Sequence, residues 1–274
     1  MNINSNQINN TYFVNSSFFF FHFTVTFNNC VIIDSKLEIT GKKGMKNNII
    51  FSDVTFKIQN RGLVDKKLSV MIHNISNIYF NKCKFFVNKK HTCITQSCFI
   101  LSHVSNIYFQ SCNIFGTLRD MDQKLNNIAE QNKPSNCSIF FLFNVNHIII
   151  FFSLFKDLYR SAFFLNNINH VCVKVTSFVS CMSYKGTISI MQNRPKLVVF
   201  VIHSKFINCS SEESGAALNI NANYITLHAS HMNIYRKSLI FINFKKCLFK
   251  SCTTKRHGGA ISLRVSSSIL IISI

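Results

Sequence analysis

Residues Pro195 to Leu218 read PKLVVFVIHSKFINCSSEESGAAL. Val199 and Val201 stand two apart, Ser204 three later, Phe206 two after that, and Cys209 three later again. Side chains alternate faces along a strand with period two, so a step of three reverses the face unless the chain bends within it. Keeping all five residues on one side requires a bend after Val201 and another after Phe206. A polar loop, Ser210 to Ser214, then leads through Gly215, Ala216 and Ala217 into Leu218 and a third short strand. Strand, bend, strand, loop, strand is one coil of a β-solenoid.

The same ruler fits the rest of the chain. Its first column reads Val25, Ile49, Ile78, Ile107, Ile148, Val171, Val199, Ile225, Ile242 and Ile269. Its second reads Phe27, Phe51, Phe80, Phe109, Ile150, Val173, Val201, Leu227, Phe244 and Ile271. The third column is small, with Cys30, Cys83, Cys112, Ser153, Thr176 and Ser204; the fourth is large, with Phe56, Phe85, Phe155, Phe178, Phe206 and Phe249. The fifth is mixed, as in Ser35, Leu158, Cys181, Cys209 and Cys252. Such a repeat marks a solenoid, whose coils bury apolar side chains only by stacking on neighbours. The fold class is therefore all-β, a right-handed single-stranded parallel β-helix.

Two intervals depart from the rule: 41 residues from Ile107 to Ile148, and 17 from Ile225 to Ile242. The long one carries Leu118, Met121, Leu125 and Ile128 at helical spacing. This predicts one inserted short helix near residues 118–131, stopped by Asn132 and Pro134. The short one is too tight for a coil. Either that coil is irregular, or Asn219 to Tyr235 is an insertion and Ile225 is not a rung.

Residues 1–17 are polar and Asn-rich, and read as a loose leader; residues 18–274 read as a single β-helix domain. Its last strand, Ser268 to Ile274, stops without a cap, as in a truncated solenoid. The apolar run Phe18 to Phe23 has no basic residue before it, so it reads as first-coil sequence rather than a secretory signal. No run reaches the length of about 18 apolar residues needed for a membrane-spanning helix. The chain holds 30 Lys and Arg against 10 Asp and Glu, a net charge of +20. Such a field favours acidic glycans or other anionic surfaces. Nucleic acid is not expected, because no helix-turn-helix, zinc-finger or RNA-recognition pattern accompanies the charge.

Of the eleven cysteines, seven end a Phe-x-x-Cys step, namely Cys30, Cys83, Cys112, Cys181, Cys209, Cys247 and Cys252. Coils stack about 4.8 Å apart, whereas disulfides need a Cβ separation nearer 3.8 Å. A ladder of buried free thiols follows. Ahead of the first column stand Asn48, Asn77 and Asn106, then His147 and His170. Stacked amides at a solenoid corner hydrogen-bond along the axis; the competing reading, a paired-His metal site, lacks a third ligand.

Enzymes on β-helices gather carboxylates, Lys or Arg on one outer wall. Here Asp34 and Asp157 fall on outward positions several coils apart, and the paired candidates are Asp120 with Asp122 and Glu212 with Glu213. Outward positions hold instead Lys57, Lys84, Lys156, Lys174, Lys205, Lys245 and Lys250. No catalytic, cofactor-binding or metal-binding residue is assigned. Five sequons, at Asn9, Asn15, Asn74, Asn136 and Asn208, match what chance supplies in so Asn-rich a chain.

The segments FINCSSEESGAAL (Phe206 to Leu218) and FKSCTTKRHGGAIS (Phe249 to Ser262) set a small-residue run at the same distance from a Phe. They resemble the repeats of polymorphic outer membrane proteins and of related protist β-helix surface proteins. Gly258, Gly259, Ala260 and Ile261 match the family's Gly-Gly-Ala-Ile tetrapeptide; its Phe-x-x-Asn stands here as Phe-x-x-Cys. The resemblance implies an adhesin-like, extracellular or cell-surface protein with no catalytic residues. The alternative is a polysaccharide lyase or glycoside hydrolase of pectate-lyase-like fold, since that scaffold is shared.

Overall fold

The computed structural model describes residues 7–14, 16–21, 24–42, 46–58, 69–87, 97–116, 138–222, 239–265 and 269–273. Among them, every strand pairing is parallel, and three long sheets of ten, nine and nine strands run along the molecule. The chain is a parallel β-helix. The ten coils among the described residues are numbered by their first-sheet strands: Gln7–Asn9, Val25–Asn28, Asn48–Ser52, Asn77–Asn81, Asn106–Gln110, His147–Phe151, His170–Lys174, Lys196–Ile202, Leu239–Lys245 and Ile269–Ser273. A fourth sheet joins only Met182–Ser183, Ser210–Ser211 and Thr253–Thr254.

The columns form as the spacing requires. Val25, Ile49, Ile78, Ile107, Ile148, Val171, Val199 and Ile242 pair one over another, and all are buried. Phenylalanines stack at nearly the coil spacing: Phe51 on Phe80 at 5.0 Å, Phe80 on Phe109 at 4.8 Å, and Phe178 on Phe206 at 4.7 Å. Rings from neighbouring sheets meet these stacks edge-on, as Phe99 meets Phe85 at 5.3 Å, so the ring quadrupoles interlock.

The bends are single left-handed residues. His203 and Asn208, at φ 49° and 52°, turn the chain between Val201 and Phe206 and between Phe206 and Cys209. Asn, Asp, Ser, Lys and His hold most such corners, in keeping with the tolerance of Asn and Asp for this conformation. The next residue explains the small third column. Ser204 donates its hydroxyl to the Ile202 carbonyl at 2.9 Å, and Cys83 donates its thiol to the Asn81 carbonyl at 3.5 Å. Each also reaches a carbonyl of the preceding coil, on Val173 and Phe51 respectively. Cys, Ser and Thr fit the position because each is small and carries a donor. The nine described cysteines are free thiols.

Several expectations need correction. In the tenth coil Ile242 pairs with Ile272, while Ile269 pairs with Leu239 and Ile271 with Phe241. The expected rungs are out by three residues, because the run Ile269 to Ile272 is apolar at every position and period two cannot choose its phase. Val199 pairs directly with Ile242, so Ile225 is not a rung between them; Ile225 itself lies outside the described residues, as does the helix expected over residues 118–131. Coils also begin earlier than the leader reading allows. Gln7–Asn9 and Tyr12–Val14 pair with Thr26–Asn28 and Val31–Ile33.

Candidate functional site

Function on a filled solenoid lies on its outer walls and corners, since the interior is packed with side chains. On the rim of the first sheet the expected amide ladder is present. Asn77 donates to Asn48 Oδ1 and Asn106 to Asn77 Oδ1, each at 2.7 Å, and His147 Nδ1 stands 3.0 Å from Asn106 Oδ1. His147 and His170 meet ring edge to face at 5.6 Å. Asn48, Asn77, Asn106 and His147 pair along the axis, whereas His170 Nδ1 is buried without a hydrogen bond. Among the described residues, no group of three His, Cys, Asp or Glu side chains is placed to hold a metal ion. Tyr79 and Tyr108 stack at 4.8 Å beside the ladder, so they turn edges rather than faces outward.

The corner between the third and first sheets carries a polar chain that spacing did not reveal. Arg194 donates to Asn144 Oδ1 at 2.7 Å, and Asn144 Nδ2 donates to His103 Nε2 at 3.3 Å. That leaves the His103 proton on Nδ1, which faces Ser102 Oγ at 3.4 Å, and the Ser102 hydroxyl in turn bonds His73 Nδ1. The tautomers follow from the donors. Burial holds the His73 pKa below the usual histidine value, so the ring is neutral and accepts. A hydroxyl against a neutral imidazole is a nucleophile and base in kind, yet Ser102 is only 8% exposed. The chain of donors ties the corner together. Its only sequence trace is that His103 and Asn144 each follow a third-sheet strand directly.

The carboxylates do not assemble as an acid and base. Asp157, expected to face outward, is 8% exposed and sits at a corner with φ 59°. The backbone of that corner is pressed against Gly116, whose hypothetical Cβ would lie 1.9 Å from the Asp157 carbonyl oxygen, and the carboxylate keeps Oδ1 buried without a hydrogen bond. Its nearest ion partner is Lys156, at 3.8 Å. Asp34 occupies the equivalent corner at φ 42°, four coils earlier. Glu212 pairs with Lys255 at 2.8 Å across a furrow lined by Met182, Ser211 and Thr254. Glu213 keeps one oxygen buried without a hydrogen bond. Asp120 and Asp122 lie outside the described residues.

What the fold does collect is positive charge. Lys84, Lys156, Lys205 and Lys250 project from the second sheet, and Lys174, Lys245 and Lys246 from the corner leading into it; all are exposed. Lys57 stands half-buried on the same wall. From coil six to coil nine these lysines gather on adjacent coils about 4.8 Å apart. Lys246 at the corner is the member that the column rule did not list.

No protein-family model, curated protein or solved structure matches the chain. Among the described residues, no helix is long and apolar enough to cross a membrane.

Proposed function

We propose that this β-helix is a non-catalytic, adhesin-like interaction protein that docks an anionic surface on its lysine-bearing wall. The observation that carries the reading is the run of exposed lysines from Lys156 to Lys250 over four successive coils. Cations spread over successive coils of one wall engage a polyanion at several points at once, and the binding falls as salt rises. The resemblance of Phe206 to Leu218 and Phe249 to Ser262 to polymorphic outer membrane protein repeats supports an extracellular or cell-surface setting. Those segments occupy consecutive coils, with their loops stacked in the small fourth sheet.

The test is to offer the protein a panel of acidic polysaccharides and follow both binding and chain length. Salt-sensitive retention without shortening of the polymer is the expected result. Depolymerisation would replace this reading with the lyase or hydrolase alternative.

A further inference from the structure

We infer that the corner between the first and second sheets, over coils six to nine, docks onto an anionic lipid bilayer. The inference rests on reading this wall as a binding surface, and it names the partner. The outward positions form a grid of four per coil. Coil six contributes Phe151, Phe152, Leu154 and Lys156; coil seven Lys174, Val175, Ser177 and Val179. Coil eight contributes Ile202, His203, Lys205 and Ile207; coil nine Lys245, Lys246, Leu248 and Lys250. None of these residues is acidic, and all but Ser177 and His203 are either apolar or lysine.

Two observations single out a bilayer. The first is exposure: Phe152 at 59% and Val175 at 38% sit on neighbouring coils of the same corner, and Leu248 at 45% lies on the same wall two coils beyond Val175. The second is backbone strain. Phe152 and Val175 take up the left-handed corner at φ 50° and 49°, where other coils place Asn29, Asp53, Lys82 or Ser111. A bulky or β-branched residue is a costly choice there, and strain that persists points to a use. Apolar tips ringed by lysines match a bilayer interface, where the tips enter the boundary of the acyl region and the ammonium groups meet lipid phosphates. A second copy is disfavoured, since two such plates carry the same charge. A soluble polyanion uses the lysines and leaves the exposed Phe and Leu without a partner.

The full chain is to be sedimented with phosphatidylcholine vesicles and with mixed phosphatidylcholine–phosphatidylserine vesicles, and separately titrated with soluble polygalacturonate. Binding to the mixed vesicles and not to the neutral ones is expected. The double variant Phe152→Asn, Val175→Asn relieves the strain and so keeps the fold, which thermal melting checks; it should lower vesicle partition about tenfold and leave polygalacturonate binding unchanged. Lys174→Gln, Lys245→Gln, Lys246→Gln should lower vesicle binding by roughly fivefold per lysine and weaken polygalacturonate binding too. Wild-type vesicle binding by the Asn double variant, or retention on polygalacturonate with none on vesicles, overturns the bilayer assignment and leaves the proposed function standing. Failure to bind either overturns both.

Discussion

Val175 combines a branched Cβ with a left-handed backbone at φ 49°, a conformation that costs an L-residue roughly 1–2 kcal/mol. Val175→Asn should therefore raise stability by about 1 kcal/mol, read from urea denaturation. Gly116 shows the opposite constraint. A methyl there would lie 1.9 Å from the Asp157 carbonyl oxygen, so Gly116→Ala must displace the sixth coil and should cost about 1–3 kcal/mol. The thiols and imidazoles add a pH dependence at each end. Contact with the Cys181 thiol, with burial, pushes Cys209 up to about 12, while an unfolded thiol titrates near 8.5. Between those values the unfolded chain has lost a proton that the native chain keeps. The stability from Cys209 is therefore full below pH about 8.5 and is lost as pH rises toward about 12. Burial lowers His73 and His170, so their sign is reversed: the native state resists charging, and stability falls as pH drops below about 6.5. Denaturation midpoints across pH check both slopes, and His73→Gln should flatten the acid one.

At the scale of the element, the stacked columns act as single units. Phe178 is fully buried against Phe155 and Phe206, at 4.7 Å from each. Phe178→Ala should cost about 3–5 kcal/mol. Phe249 stacks on Phe206 at 5.2 Å but is only half-buried, so its truncation should cost less, and the difference between the two is the measurement. The amide ladder has a direction, since Asn77 gives a proton to Asn48 and takes one from Asn106. Asn77→Asp keeps the shape but cannot donate, which sets two acceptors face to face; a loss of about 1–3 kcal/mol is expected in the same assay.

For the whole molecule, a net charge of +20 on a rigid rod is self-repulsive, because stacking brings the lysines of successive coils close together. Screening extends over about 30 Å at 0.01 M salt and about 8 Å at 0.15 M. The melting temperature should therefore climb across that range, whereas binding to any anionic partner should weaken over it. One sign without the other would separate fold electrostatics from recognition.

The columns from Val25 to Ile242 were legible in the chain because an inward side chain must recur at the same step in every coil, whatever the loop between. Period and step also located the bends at His203 and Asn208 and the amide ladder from Asn48 to Asn106. They failed at Ile269 to Ile272, where every residue is apolar and no alternation marks a phase. Residue order alone thus determined the architecture and the inward face, since burial imposes a periodicity on every coil. Only the tertiary structure decided which outward residues become neighbours, and with them the plate around Phe152 and Val175, the inward turn of Asp157 and the donor chain ending on His73. Outward positions carry no periodic constraint, and their company is set by how the coils of unequal length come into register.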